Sequence, residues 1–233
     1  MSLLADAKFR EWTYGLADRD ALISIFEHIR DIPYSLAVPM NDPKTAPEQL
    51  LIRGSGYCGP KHFLIAGMYR KLGYEVVYAT FPFLWNDPDL RYPPELRTLA
   101  TGLPVVHHLA CRVRIDDRWV LVDATWDRPL KRAGFPVNEH WDGRADTKCA
   151  VKPLRAAVRT AFCRTATNAP SRPGGDAGFC PIDGEEDHGD EEDHLRACRR
   201  KTGMHSADEV ARILRFYGEF DAWLEEVRKS PSR

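Results

Sequence analysis

The sequence has no long apolar run; stretches such as Val76–Ala79 are short, which excludes a membrane-spanning helix. It also has no charge excess of either sign, with 33 Lys and Arg against 34 Asp and Glu. That balance gives no overall footprint for nucleic acid or for an anionic membrane surface, and neither is expected as a partner. The start, Met1-Ser2-Leu3-Leu4-Ala5-Asp6, lacks a basic cluster and an extended apolar stretch. It does not read as an export leader, and a cytoplasmic location is expected. Cysteine is sparse: Cys58, Cys111, Cys149, Cys163, Cys180 and Cys198 in 233 residues. A chain of this length can bury a core without staples, so reduced thiols are expected rather than a disulfide framework.

The near-zero net charge hides an asymmetry. Residues 183–193 hold eight acids and no Lys or Arg, which leaves the rest of the chain basic. The preceding Asn168–Gly178 is rich in Pro, Gly and Ser and has too little apolar surface to offset ordering entropy. The organisation read from this is a core domain over 1–162, a flexible, partly acidic linker over 163–205, and a C-terminal amphipathic helix over 206–230. The helix reading rests on the capping-box pattern Ser206-Ala-Asp-Glu209 and on Val210, Ile213, Leu214, Tyr217, Phe220, Leu224 and Val227 at helical spacing. In the core, Asp20 to Arg30 and Pro60 to Leu72 read as helices, and Tyr74–Phe81, His107–Ile115 and Arg118–Thr125 as strands. Residues 82–104 read as proline-rich loops. Helices leading into adjacent strands make the fold class α+β, a Cys-bearing helix packed on an antiparallel sheet.

The two later strands carry the first chemical signal. A two-residue loop at Asp116-Asp117 pairs Ile115 with Arg118, and so Ala110 with Asp123. His108 then becomes the diagonal neighbour of Asp123, with Cα atoms about 7–8 Å apart, within reach of an imidazole and a carboxylate. Parity puts His107 with Leu109, Cys111 and Val113 on a core face, and His108 with Ala110 and Arg112 on a wetter one. The second signal is Gly54-Ser-Gly-Tyr-Cys58-Gly-Pro-Lys-His62, which places Cys58 at the start of a helix. Free backbone N–H groups there stabilise negative charge on sulfur and on an oxyanion formed beside it, and Lys61 is read as adding positive charge nearby. Cys58 as nucleophile, His108 as base then acid, and Asp123 as the group orienting the imidazole make a catalytic set for acyl transfer through a thioester.

The segment Gly56-Tyr-Cys58-Gly-Pro-Lys-His-Phe-Leu-Ile-Ala-Gly-Met-Tyr-Arg-Lys-Leu-Gly73 resembles the Cys-helix signature of the transglutaminase-like superfamily. His108-Leu-Ala-Cys-Arg-Val and Arg118-Trp-Val-Leu-Val-Asp123-Ala-Thr resemble its His and Asp strands, and Ile32-Pro33-Tyr34 its approach to the core. The resemblance spans about Ile29 to Thr125. It implies a papain-like α+β core with Cys58, His108 and Asp123 as triad, but it does not fix the reaction. The reading is a cysteine-dependent enzyme acting on a peptide, protein or small amide substrate, thiol-protease-like, with hydrolysis favoured over cross-linking. No cofactor and no metal is expected. The loop Phe81–Pro94 is longer than such a core needs; it reads as a flap carrying Trp85 and Tyr92 or as an excursion capping the sheet.

Other readings compete. Gly54-x-Gly56-x-x-Gly59 matches a dinucleotide fingerprint, with only Leu50-Leu51-Ile52 as its strand. Cys180, His188, His194 and Cys198 have zinc-type donors at unfamiliar spacings. His62, one turn after Cys58, is an alternative base or a solvent-facing side chain, and Asp127 a weaker substitute for Asp123. Arg53-Gly54 before the cysteine also fits an arylamine N-acetyltransferase-like acyl transfer. A non-enzymatic binding module on the same fold is the remaining class.

Overall fold

The computed structural model describes residues 1–154, 186–188 and 207–230. Three helices open the chain: α1 (Leu3–Thr13), α2 (Asp18–Arg30) and α3 (Ala46–Arg53). α4 (Cys58–Lys71) leads into β1 (Val76–Phe83), then come α5 (Pro94–Thr101), β2 (Val106–Ile115) and β3 (Arg118–Val122). A 3₁₀ turn at Arg128–Ala133, a short β4 (Glu186–His188) and the long α6 (Ala207–Lys229) complete the described chain. The sheet is antiparallel throughout, in the order β3-β2-β1-β4. Helices and an antiparallel sheet are thus mixed in one chain.

The β2–β3 turn has the expected register, Ile115 opposite Arg118. Asp116 and Asp117 both take positive φ, 48° and 59°, as a two-residue primed turn requires. One sheet face, with Leu109, Cys111, Val113, Val120, Val122 and Tyr78, packs on α4 and the N-terminal helices. α4 is buried nearly all round, at ten of its fourteen residues, which is the pattern of a helix central to its domain.

The other face departs from expectation. His108, Ala110 and Arg112 are not on a wetter side: all three are buried. Residues 146–151 run across this face and tie to β3 and its extension. Asp146 accepts from Leu121 N at 2.6 Å, and Thr147 N donates to Leu121 O at 2.9 Å. Cys149 and Val151 pack on Phe81, Ala110 and Leu121. His107, read as core, is half-buried instead.

Residues 82–104 differ too. They contain α5, started by Pro94 in its first turn and burying Leu96 and Ala100. Trp85, Leu90 and Tyr92 are neither flap nor surface excursion. They are buried in a second core with Tyr34, Trp126, Phe135 and the α6 residues Phe216, Phe220 and Trp223. Alternation and turn chemistry did not reveal this core because its aromatics converge from four separate chain segments. Leu50-Leu51-Ile52 belongs to α3, so the dinucleotide fingerprint lacks its strand. Within the expected linker, Glu186–His188 pair with Tyr78–Thr80 as β4. The rest of 163–205, with Cys163, Cys180, His194 and Cys198, lies outside the described residues.

α6 is held by polar contacts as well as by aromatics. Arg228 donates to both oxygens of Asp127, at 2.9 Å each, and to Tyr34 O at 2.8 Å. Asp127 also accepts from Tyr34 N at 2.9 Å. Asp221 accepts from Ser35 Oγ at 2.8 Å and Leu36 N at 2.9 Å. Asp127 is therefore committed to α6 and is no substitute for Asp123. Breaking one side of a buried pair strands the other charge. Arg228→Met is expected to lower unfolding free energy by about 3–5 kcal/mol in urea titrations; a loss below about 1 kcal/mol would place the pair among exposed ones.

Candidate active site

Cys58 is the first residue of α4 and is half-buried. Its position depends on the strand-like segment before it. Gly56 N donates to Pro33 O and Ser35 N to Gly56 O, both at 3.0 Å, in a parallel bridge between Tyr34 and Gly56. A Cβ on Gly56 would meet Leu50 Cδ1 at 2.6 Å and Met40 Cε at 2.8 Å, so any larger residue would have to displace these two buried side chains. Tyr57 is fixed through its hydroxyl, which accepts from Met40 N at 2.8 Å and donates to Asn41 Oδ1 at 2.7 Å. The first-turn N–H groups of α4 have no intrahelical acceptor by construction, and Pro60 contributes none.

His108 stands near the start of β2, opposite Phe81 of β1, and stacks on that ring. Its Nε2 donates to Asp123 Oδ2 at 2.7 Å. Cys58 lies close enough to act on its charge, both side chains line one cavity, and since Nε2 is engaged, Nδ1 is the nitrogen left for sulfur. The structure therefore brings Cys58, His108 and Asp123 together in the order the sequence suggests. Burial disfavours the charged imidazole, but the Asp123 charge, its hydrogen bond and Cys58 outweigh it and raise the His108 pKa. Burial likewise pushes Asp123 up, and the His108 charge with the donated hydrogen bonds brings it down instead. Both shifts favour an imidazolium facing a carboxylate.

Asp123 accepts from four donors: His108, Ala150 N at 2.7 Å, Thr125 Oγ1 at 2.7 Å and Thr125 N at 3.2 Å. Its own N–H donates to Thr147 Oγ1 at 2.9 Å. Cys149, which the sequence did not single out, completes a group in which single ligating atoms of His108, Asp123 and Cys149 all lie within 4.8 Å of one another. That set has the donor types of a zinc site. However, both Asp123 oxygens are already engaged, and a metal would have to displace the His108 contact.

His62 and Lys61 do not play the parts read for them. His62 is fully buried rather than facing solvent. Its Nδ1 contacts Cys58 O at 2.9 Å, and its Nε2 accepts from Ala124 N at 3.1 Å. A ring nitrogen that accepts from a backbone N–H carries no proton, so His62 is neutral with hydrogen on Nδ1. It joins the carbonyl of Cys58 to the residue after Asp123. Lys61 is also fully buried, and its Nζ donates to Arg30 O, Thr125 O and Ala124 O at 2.9, 2.8 and 3.4 Å. Burial lowers its pKa to about 7, while three carbonyls match the three donors of an ammonium. Spacing places His62 one turn after Cys58 on the same helix side, and the structure gives it the backbone of Cys58 and Ala124 as partners.

A cavity of about 640 Å³ opens over Cys58 and His108. Its walls include Tyr34, Met40, Trp85, Trp126 and, from α6, Leu214 and Tyr217. Among the described residues that line it, none is Asp, Glu, Lys or Arg.

No family model matches the chain, and no curated protein matches it. Among solved structures, one similar chain is described as "a Putative Cysteine Protease from Cytophaga hutchinsonii". It is 17% identical with a TM-score of 0.39, over 55% of this chain and 38% of that one. Another is the arylamine-N-acetyltransferase from M. tuberculosis, 25% identical with a TM-score of 0.35, over 54% of this chain and 47% of that one. The chain thus covers less than half the length of either protein. No helix among the described residues is long and apolar enough to cross a membrane.

The neutrality of His62 gives the fold a pH signature. Burial, followed by the opposing Asp123 charge and the adverse His108 charge, lowers its pKa from 6.5 to about 4. Between those values the unfolded chain binds more protons at this site, so stability rises with pH. The contribution is complete above pH 6.5 and falls away toward pH 4, amounting to about 3 kcal/mol. The unfolding free energy of wild type minus that of His62→Gln should therefore shrink as pH falls through this window. A difference independent of pH would show that His62 is not held neutral.

Proposed function

We propose that this chain is a cysteine-dependent acyl-transfer enzyme with a papain- or transglutaminase-like arrangement, acting on an amide or peptide bond. The observation that carries the reading is the His108 imidazole held by the Asp123 carboxylate at 2.7 Å, with Cys58 and His108 lining one cavity large enough for a substrate group. A helix N-terminus beside the sulfur, an imidazole kept protonated by a buried carboxylate, and an open cavity together suit this chemistry.

In this mechanism the Cys58 sulfur attacks the substrate carbonyl carbon, and the carbonyl oxygen takes up the electron pair. The Cys58 N–H, a free first-turn donor, stabilises that oxyanion. His108 gives its proton to the leaving nitrogen as the C–N bond breaks, leaving a thioester. Water then attacks the thioester; His108 takes a proton from it, and the Cys58 sulfur leaves with the pair from the C–S bond. Asp123 holds the imidazole by Nε2 and keeps Nδ1 toward sulfur throughout. Hydrolysis is favoured over transfer to an amine, since water needs no second binding site.

Alkylation tests the nucleophile without a known substrate. Labelling of Cys58 by iodoacetamide, resolved cysteine by cysteine by mass spectrometry, should outpace that of the other cysteines in wild type. His108→Ala should slow it by about tenfold or more, with Asp123→Asn intermediate. Equal rates for Cys58 in wild type and His108→Ala would end the proposal. Once a substrate is found, Cys58→Ala and His108→Ala should abolish turnover, and Asp123→Asn should lower it by about 10²–10⁴.

A further inference from the structure

The cavity over Cys58 has a composition that bears on what it accepts. Its described lining is aromatic and aliphatic, and the polar atoms it offers come from tyrosines, Asn41, Thr125, the two adjacent histidines and the backbone. A charged group entering such a site loses hydration and meets no Asp, Glu, Lys or Arg among the described lining, and the His108 imidazolium there is already paired with Asp123. An apolar group gains in proportion to the surface it buries.

The mouth of the cavity is built by α6. Leu214, Tyr217 and Gly218 line it at i, i+3 and i+4, one face of the helix. Leu214 is 64% exposed, an apolar side chain presented at an opening. Gly218 lies inside a helix of 23 residues, where glycine costs about 1 kcal/mol relative to alanine. Its backbone does not require glycine, since its φ is not in the left-handed region, and among the described residues a Cβ there would meet nothing within 4 Å. Neither conformation nor packing among the described residues accounts for glycine at this position. The space left above it belongs to the cavity. The wall is also fixed, because Asp221, one turn further on, binds Ser35 and Leu36, and Leu36 lines the same cavity.

We infer that the cavity is a binding site for a neutral aromatic or bulky aliphatic acyl group, and that Gly218 of α6 keeps its mouth wide enough to admit that group. The inference rests on the proposed acyl-transfer reading, because it takes the group bound here to be the one attached to the carbonyl that Cys58 attacks.

Three alkylating probes with one electrophile separate the two readings. They are iodoacetamide, the anionic iodoacetate, and N-(2-phenylethyl)iodoacetamide. In each the thiolate sulfur attacks the methylene carbon, the C–S bond forms as the C–I bond breaks, and iodide leaves. The full chain is labelled, Cys58 is followed by mass spectrometry, and glutathione serves as the reference thiol. The ratio of phenylethyl to parent rate at Cys58 should exceed that of glutathione by about tenfold or more, with saturation in probe concentration, the scale expected for a filled apolar pocket. The iodoacetate ratio should fall below that of glutathione. Gly218→Leu should return the phenylethyl ratio toward the glutathione value while the thermal midpoint holds or rises, since leucine is the better helix former.

If Cys58 outpaces glutathione with iodoacetamide but shows no phenylethyl preference, this inference falls and the acyl-transfer reading stands. If Cys58 is no faster than glutathione with iodoacetamide yet prefers the phenylethyl probe, the cavity assignment stands and the nucleophile reading falls. An unchanged phenylethyl ratio in a folded Gly218→Leu variant overturns the role given to Gly218.

Discussion

A buried carboxylate stays ionised only when donors satisfy both of its oxygens, and Asp123 has four of them. The donors come from β2, from the turn after β3, and from the crossing segment near Ala150. Each of these pieces is therefore fixed relative to the others by one side chain. Without them the desolvation penalty would protonate Asp123, and His108 would lose the charge that keeps its proton in place. The site's electrostatics and the closure of that sheet face are consequences of the same contact set.

The cysteine is tied to this centre from the other direction. α4 carries Cys58 at its first residue, and two of the next four side chains reach across to the end of β3. Lys61 binds the carbonyls of Ala124 and Thr125, and His62 bridges Cys58 O and Ala124 N. A rotation or slip of α4 against the sheet would break these bonds before it separated sulfur from imidazole. Both residues are chemically versatile in isolation, and here their polar capacity is spent on alignment. This is why neither reads as a catalytic group once its partners are known.

Much of the site was legible in the sequence. A two-residue turn at Asp116-Asp117 fixed which residues of β2 and β3 meet, and strand parity separated His108 from His107. The helix start at Cys58 could be read from Gly-x-Cys-Gly-Pro and the apolar run after it. What stayed hidden depends on contacts between distant segments. Nothing local in 146–151 says that it lies over the sheet, so Cys149 carried no signal and the His108 face looked wetter than it is. The second aromatic core draws on residues 34, 85, 126 and 216–223; no period in any one segment encodes that convergence. α5 was missed because its prolines read as breakers, although one opens the helix where proline is accepted.

The pairing of Arg228 with Asp127 joins residues separated by 101 positions in the chain. The groups at the centre of the site lie within a shorter span, Cys58 to Asp123. Closing a loop costs more entropy the longer it is, and contacts between distant residues are slow to form. The thiol and imidazole can therefore be juxtaposed before the helix that walls their cavity has docked. Any state in which α6 is undocked would leave the sulfur assembled but unscreened, its reactivity governed by solvent collision. Stopped-flow refolding that follows Trp223 burial against thiol labelling would order the two events, and simultaneous phases would contradict this sequence.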